Sequence, residues 1–490
     1  MSNLAQSGRR CCGTIAKELS TQRHRGTEEN GKPRETNDVF LKPSCSSLCL
    51  CASVFNSSHV RSWEAVFLLA GLLAATLVVP LLARAQGQSE IAELFKKYDV
   101  KHAIVKPPKG ILKHQYLVPA GPYFQLFDWD MYFMGVALSY DGVGEPLADS
   151  IKNFLEFVNE YANDRGYTPR EIAPDALWAL PEMCKPFLAQ AAWRASQTMG
   201  DTEWLRPYYT KLADTLVFWE NTRRAPDGFF RWYNGVESGV DNNPAVSDVP
   251  ADTTEGVDLQ CYLYREYRAM ALLALKLGKN DDAAAYASKA DRLRDLVQKK
   301  MWSETDGMFL NIDSRTGQFV RIKTWTNFVP LWAGVATSAQ AERTIREHVL
   351  NPKEFWCDHG IRTLAPDEPL YNAPHGYWRG PVWVISDYMV MHGLMNYGFP
   401  AEARQVAERT VNLLVRDFHA TGGMNENYNP ETGEPAAGGH FLSWNLLAEH
   451  LAEEAAKGTD PASLSHWLME EAVSYQPSAI SRPLVRVSGK

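Results

Sequence analysis

Residues Val257–Leu277 read VDLQCYLYREYRAMALLALKL, an unbroken run without glycine or proline. Met270, Leu273, Ala274 and Leu277 fall at i, i+3, i+4 and i+7, so they share one face of an α-helix. The same spacing recurs in Leu147–Tyr161, Phe187–Met199, Trp204–Asn221, Asp281–Met301, Gly380–Tyr397, Ala401–Phe418 and His440–Ala456. Between these segments lie loops rich in Gly, Pro and Asn: Gly235–Thr254, Pro366–Tyr377 and Gly422–Gly439. Strand-like alternation is scarce; Phe229–Trp232 and Met308–Leu310 are expected to form short hairpins. About a dozen helices therefore follow one another from residue 87 onward with no long linker between them. No tetratricopeptide-like repeat signature is present. The expectation is one all-α domain. A closed ring of helical hairpins, an (α/α)6 barrel with long loops at one end around a central cavity, fits this pattern, although periodicity alone does not show closure.

Upstream of this body the composition changes. Residues 1–62 hold nine Lys or Arg, five Asp or Glu and almost no apolar periodicity, and are expected to be a disordered basic leader. The next segment, 63–86, contains the uncharged run Ala65–Ala83, AVFLLAGLLAATLVVPLLA, about the length that spans a bilayer as a helix. It closes on Ala83-Arg84-Ala85, a small-x-small pattern of the signal-peptidase kind. A signal anchor and a long signal peptide both fit, so membrane attachment through 63–86 or a secretory location is expected; if the run is unused, the protein is cytoplasmic. The full chain carries a net charge of −8, which argues against nucleic acid as a partner. Five of the eight cysteines (Cys11, Cys12, Cys45, Cys49, Cys51) lie in the leader, without a second CxxC or histidine pair at zinc-finger spacing. Cys184, Cys261 and Cys357 are expected to be buried free thiols.

Four segments of the body, 87–490, combine aromatic rings with held charges. Gly121–Phe133, GPYFQLFDWDMYF, sets Tyr123, Phe127 and Trp129 beside Asp128 and Asp130. Sugars present apolar C–H faces and hydroxyl edges, which such a mixture suits; the alternative is a helix start whose rings are core. Val236–Pro244, VESGVDNNP, carries Glu237 and Asp241 in a loop without periodicity, where function outweighs packing. Gly422–Pro435, GGMNENYNPETGEP, brackets Glu426 between two asparagines, while Glu431 and Glu434 look solvent-facing. Tyr371–Trp383, YNAPHGYWRGPVW, joins His375 and Arg379 to Tyr377, Trp378 and Trp383. The arginine suits a carboxylate partner, or ties the loop to a neighbouring acid. Two carboxyl groups on separate loops are what glycoside hydrolysis requires, one protonated to release the leaving oxygen and one ionised to activate water. No phosphate-binding glycine loop, HExxH or GxSxG is present.

Taken together, FDWDMYF, ESGVDNNP with VDLQCYLYREY, FVPLWAG, GYWRGPVW and ENYNPETGEP resemble glycoside hydrolase family 63, in particular its short members of the mannosylglycerate hydrolase type. The likeness runs from about Tyr98 to Trp467 and implies the (α/α)6 barrel. It also implies inversion at the anomeric carbon, with Asp241 as general acid and Glu426 as general base; the choice of Asp241 over Glu237 rests on the resemblance. In an inverting enzyme the two groups stand about 6.5–9.5 Å apart. The resemblance further places Tyr123, Phe127, Asp128, Trp129, Asp130, Gln190 and Gly239 around the sugar, and Tyr377, Trp378, Arg379 and Trp383 at the glycerate end. The implied substrate is a small-molecule glycoside, 2-O-α-mannosylglycerate and also glucosylglycerate, with no cofactor and no metal. A homo-oligomer is compatible with it. An N-glycan-processing α-glucosidase or a non-catalytic sugar-binding module are the competing readings.

Overall fold

The computed structural model describes residues 90–157, 166–176 and 181–457. The leader, the Ala65–Ala83 run and the tail cysteines lie outside the described residues. The principal helices are α1 Asp128–Ser139, α2 Glu145–Phe157, α3 Leu188–Met199, α4 Tyr209–Thr222, α5 Val257–Lys276, α6 Asn280–Leu296, α7 Val329–Trp332, α8 Ser338–Thr344, α9 Val384–Asn396, α10 Pro400–Thr421 and α11 Ala448–Lys457. They alternate between two environments. In α1 every residue from Asp128 to Leu138 is buried, in α5 every residue from Val257 to Ala274, and in α9 every residue from Val384 to Leu394. A helix buried on all faces lies inside, and the charged groups it carries there, such as Asp128, Arg265 and Asp387, must find partners. By contrast, α4 buries Tyr209, Leu212, Thr215, Leu216 and Trp219, one stripe at helical spacing, with Asp214 beside it, and α6 buries only Ala283, Ala290 and Leu293.

The inner helices touch in sequence: α1 on α3, α3 on α5, α5 on α7, α7 on α9, and α9 on the tight turn Ser443–Leu447 that leads into α11. That turn packs back against α1, so the ring closes. The outer helices α2, α4, α6, α8 and α10 intervene in the chain. Residues 90–97 lie on α10 through Phe95 and Phe418, with ring centroids 6.0 Å apart. The closed ring of helical hairpins expected from the sequence is the observed architecture.

Several boundaries differ from the expectation, each for a local reason. The Gly380–Tyr397 helix starts only at Val384, because Gly380 has φ +136° and Trp383 is extended. Likewise His440–Ala456 begins at Ser443, since His440 takes φ +60°. The segment Asp281–Met301 is α-helical to Leu296 and then widens into a π turn, Val297–Met301; α8 ends in a second one, Ile345–Val349. Met308–Phe309 does form a hairpin, with Trp302–Ser303. Phe229–Trp232 does not; Phe230 and Trp232 make only isolated bridges, to Arg224 and Thr254.

Cys184, Cys261 and Cys357 are buried free thiols, as expected, and burial holds the first two well above the ordinary thiol range. Among the described residues no three His, Cys, Asp or Glu side chains gather as a metal site, and no helix is long and apolar enough to cross a membrane.

Candidate active site

Four loops that precede inner helices meet at one end of the ring: 119–127 before α1, 233–256 before α5, 365–383 before α9 and 422–442 before Ser443–Leu447. Direct hydrogen bonds join them. Leu442 N donates to Pro119 O at 2.8 Å, and Asn242 Nδ2 donates to Gly376 O at 2.9 Å.

Glu426 is held most closely. It precedes the hairpin Asn427–Tyr428 with Pro435–Ala437, and its own N–H donates to Ala437 O. Tyr428 fixes this hairpin twice. Its backbone exchanges hydrogen bonds with Val382, and its phenol donates to Asp417 Oδ2 at 2.7 Å. Gly438, at φ +67°, approaches so closely that a Cβ there would stand 2.5 Å from Glu426 Cβ. Two phenols then converge on one carboxylate oxygen: Tyr123 Oη donates to Glu426 Oε1 at 2.9 Å and Tyr377 Oη at 3.3 Å. Hydrogen bonds to a carboxylate from two fixed directions hold its plane, so this grip orients Glu426.

Asp241 lies on a link between two single-turn helices. Asn234 accepts from Glu237 N to cap Gly235–Ser238, and Asn243 accepts from Ala245 N to cap Pro244–Ser247. Both are preferred capping residues, which is why the asparagines sit where they do. Gly239, at φ +79°, lets the backbone pass against the indole of Trp129. Glu237, the other acid of this block, is fully buried and accepts from Met183 N, Tyr233 N and Arg223 Nη2. It braces the loop from below.

The FDWD block opens α1, with Trp129 against Gly239 of the Asp241 loop. Asp128 accepts from its neighbour Trp129 N and from Lys185 N, both at 2.7 Å, and pairs with Lys185 Nζ at 3.0 Å, with both side chains almost wholly buried. The ammonium stands 5.2 Å from the centroid of the Trp129 ring, an arrangement that the ring quadrupole favours. Asp130 accepts from Ser443 Oγ at 2.6 Å; burial pushes its carboxyl up to about 7, against that hydrogen bond. Phe127 meets Tyr123 edge-on at 5.8 Å. Trp129 packs among Phe133, Phe187, Trp378 and Trp444.

Other residues singled out in the sequence take different places. Gln190 is fully buried within α3. Its amide donates to Pro186 O and Tyr262 O and accepts from Arg265 Nε at 2.9 Å, so the side chain belongs to the barrel wall rather than to the loop end. Trp378 and Trp383 are also buried, stacked on each other at 3.6 Å and 7°, with Trp383 Nε1 donating to Tyr377 O. They pack behind Tyr377, whose ring meets Trp383 edge-on at 4.9 Å. Arg379 turns towards the acid's loop, donating from Nε to Asn242 O at 2.7 Å and from Nη2 to Asp248 Oδ1 at 2.7 Å. That is the loop-tying role rather than a free carboxylate receptor. His375 is exposed on the rim. Lys185, Ser443, Trp444 and Asn242 carry the site as well and went unremarked in the sequence. Only Asn242 had a local cue, its place in an Asn-Asn-Pro turn.

The model for the "Mannosylglycerate hydrolase MGH1-like glycoside hydrolase domain" matches residues 152–444. A mannosylglycerate hydrolase of Selaginella moellendorffii is 40% identical over 141 residues, 28% of this chain and 26% of that protein. One from Rubrobacter radiotolerans is 30% identical over 187 residues, covering 37% of this chain and 40% of the relative. The chain thus spans well under two thirds of the curated relatives it matches. Among solved structures, the family 63 mannosylglycerate hydrolase of Thermus thermophilus in complex with glucose superposes with a TM-score of 0.57 at 20% identity, over 75% of this chain and 99% of that one. That likeness supports the barrel fold. The family model covers more than half of the sequence, including three of the four loops that meet at the ring's end, and the chain belongs to the mannosylglycerate hydrolase MGH1-like glycoside hydrolase family.

Proposed function

We propose that this protein is an inverting glycosidase that hydrolyses 2-O-α-mannosylglycerate, and glucosylglycerate as well, to the free sugar and glycerate. The observation that carries the reading is the grip of Tyr123 and Tyr377 on Glu426 Oε1, on a loop end where the Asp241 segment also converges. Glu426 is the base: it takes a proton from water as the water oxygen attacks the anomeric carbon. Asp241 is the acid: its proton passes to the glycerate oxygen as the glycosidic bond breaks. Tyr123, Phe127, Trp129, Asp130 and Gly239 shape the sugar site, with Asp128 and Lys185 holding its floor; Tyr377 faces the leaving group, backed by Trp378 and Trp383. The chemistry calls for no cofactor.

The test is mannose release from mannosylglycerate by Asp241→Ala and Glu426→Ala enzymes. Each is expected to lose ~10²–10⁴-fold, the usual contribution of an acid or base group. Near-wild-type turnover by either would sink the assignment. Glucosylglycerate and a glucosyl oligosaccharide in the same assay separate the two glycerate substrates from a processing glucosidase. The run Ala65–Ala83 supports, in the same reading, delivery to the secretory pathway or a membrane anchor. N-terminal sequencing of the native protein distinguishes cleavage from retention.

A further inference from the structure

We infer that Asn242 and Arg379 form a clasp that positions Asp241 for proton donation; the inference rests on the acid and base roles proposed above. Asp241 sits between two fixed points on its own loop. On one side Gly239 lies against Trp129, where a Cβ would come within 2.6 Å of the indole. On the other, Asn242 is locked to the turn 376–379 by three hydrogen bonds: its Nδ2 to Gly376 O at 2.9 Å, Trp378 N to its Oδ1 at 3.0 Å, and Arg379 Nε to its backbone oxygen at 2.7 Å. Arg379 extends the clasp along the acid's loop, to Asp248 Oδ1 at 2.7 Å and to Ser247 Oγ at 3.4 Å.

The far side of the clasp is a stiff support. The turn closes on itself through Arg379 N to Gly376 O and Asn372 N to Arg379 O. Gly376 is so enclosed that a Cβ would meet Arg379 O at 2.4 Å. The same turn carries Tyr377, held at φ +60°, whose phenol reaches Glu426. One short stretch of chain therefore grips the loop of the acid with Asn242 and touches the base with Tyr377. Displacing Asn242 moves the acid relative to the base while leaving the sugar floor, built on α1, in place. Asn242 is in this sense a positioning residue.

The test compares two substrates of the full-length enzyme. Mannosylglycerate needs the proton of Asp241, because its leaving group departs as a poor alkoxide otherwise. α-Mannosyl fluoride does not: the C–F bond breaks to give fluoride ion, while water adds to the anomeric carbon and gives its proton to Glu426. Asn242→Ala is expected to lower kcat for mannosylglycerate by ~10–100-fold, the scale of a misplaced catalytic group, with KM little changed. The same variant should keep α-mannosyl fluoride hydrolysis within about threefold of wild type, since the base and the floor stay in place. Asp248→Asn, which loosens the clasp at its exposed end, should show the same selectivity at about two- to fivefold, the worth of a surface ion pair. It also keeps the test decisive if Asn242→Ala does not fold. Equal losses on both substrates, or no loss on either, would overturn the clasp. A wild-type enzyme that hydrolyses neither substrate would instead overturn the glycosidase reading itself.

Discussion

Replacing Gly239 by alanine tests the geometry of the acid's loop most directly. The backbone there has φ +79°, and a Cβ would stand 2.6 Å from Trp129 Cζ2 and 3.0 Å from Lys185 Cε. Carbon atoms rest at about 3.5–4.0 Å, so the shortfall against the indole is about 1 Å. The lysine end has some freedom, but the indole has none: Trp129 is enclosed by Phe133, Phe187, Trp378 and Trp444. The displacement must then fall on the loop, two residues before Asp241. An error of that size near reacting groups costs roughly 10²-fold in rate. The left-handed backbone adds about 1–2 kcal/mol against alanine, a fall in Tm of roughly 1–3 °C for a domain of about 400 residues. The assay is kcat/KM for mannosylglycerate beside a thermal melt. A Gly239→Ala enzyme with activity within threefold of wild type would refute the argument that this contact sets the position of Asp241.

Two further outcomes follow from buried charges. Lys185→Met leaves Asp128 without its ion partner in a dry site, a change that typically costs about 3–5 kcal/mol; the two backbone N–H groups that Asp128 keeps place the expected loss at the lower end, read from the urea midpoint. An unchanged midpoint would show that the pair adds nothing. Burial pushes Asp387 up to about 7, although Thr410 and Ile361 N donate to it. Below about pH 4 the group is protonated in both the folded and unfolded chain, whereas between there and 7 the unfolded chain gives up its proton first. Stability from this site is therefore full in acid and lost as pH rises towards 7. Asp387→Asn should flatten that slope in urea titrations at pH 5 and 7, and an identical slope would refute it.

How far these features were legible depends on what each residue contacts. Outer and mixed helices such as α4 and α10 announce themselves because one face meets water and the other does not. Inner helix α1 does not: with Asp128 to Leu138 buried on every side there is no stripe to find, and FDWDMYF read equally as a sugar-binding cluster of rings and acids or as a helix start with core rings. Its role came from the resemblance, not from periodicity. The short α8 escaped as well, although Thr337 and Gln340 form a capping box that marks its start. Glu426 was legible because its neighbours are polar in a glycine-rich loop; its phenol donors, 303 and 49 residues away in the chain, were not. Lys185 gave no local signal, since MCKPF says nothing of an aspartate 57 residues earlier. Arg379 could be read two ways, and only the position of Asp248 separates them.

The stacked pair Trp378 and Trp383 has an optical consequence. Two indoles face to face at 3.6 Å and nearly parallel couple their electronic transitions. Such coupling depends steeply on separation and on mutual angle. Trp325 stacks on Trp378 as well, at 6.1 Å and 22°, so the array is a small chromophore built into the turn that carries Tyr377. Circular dichroism of the unlabelled protein should therefore report the state of that turn as ligands come and go, and a Trp383→Phe protein supplies the blank against which the signal is read.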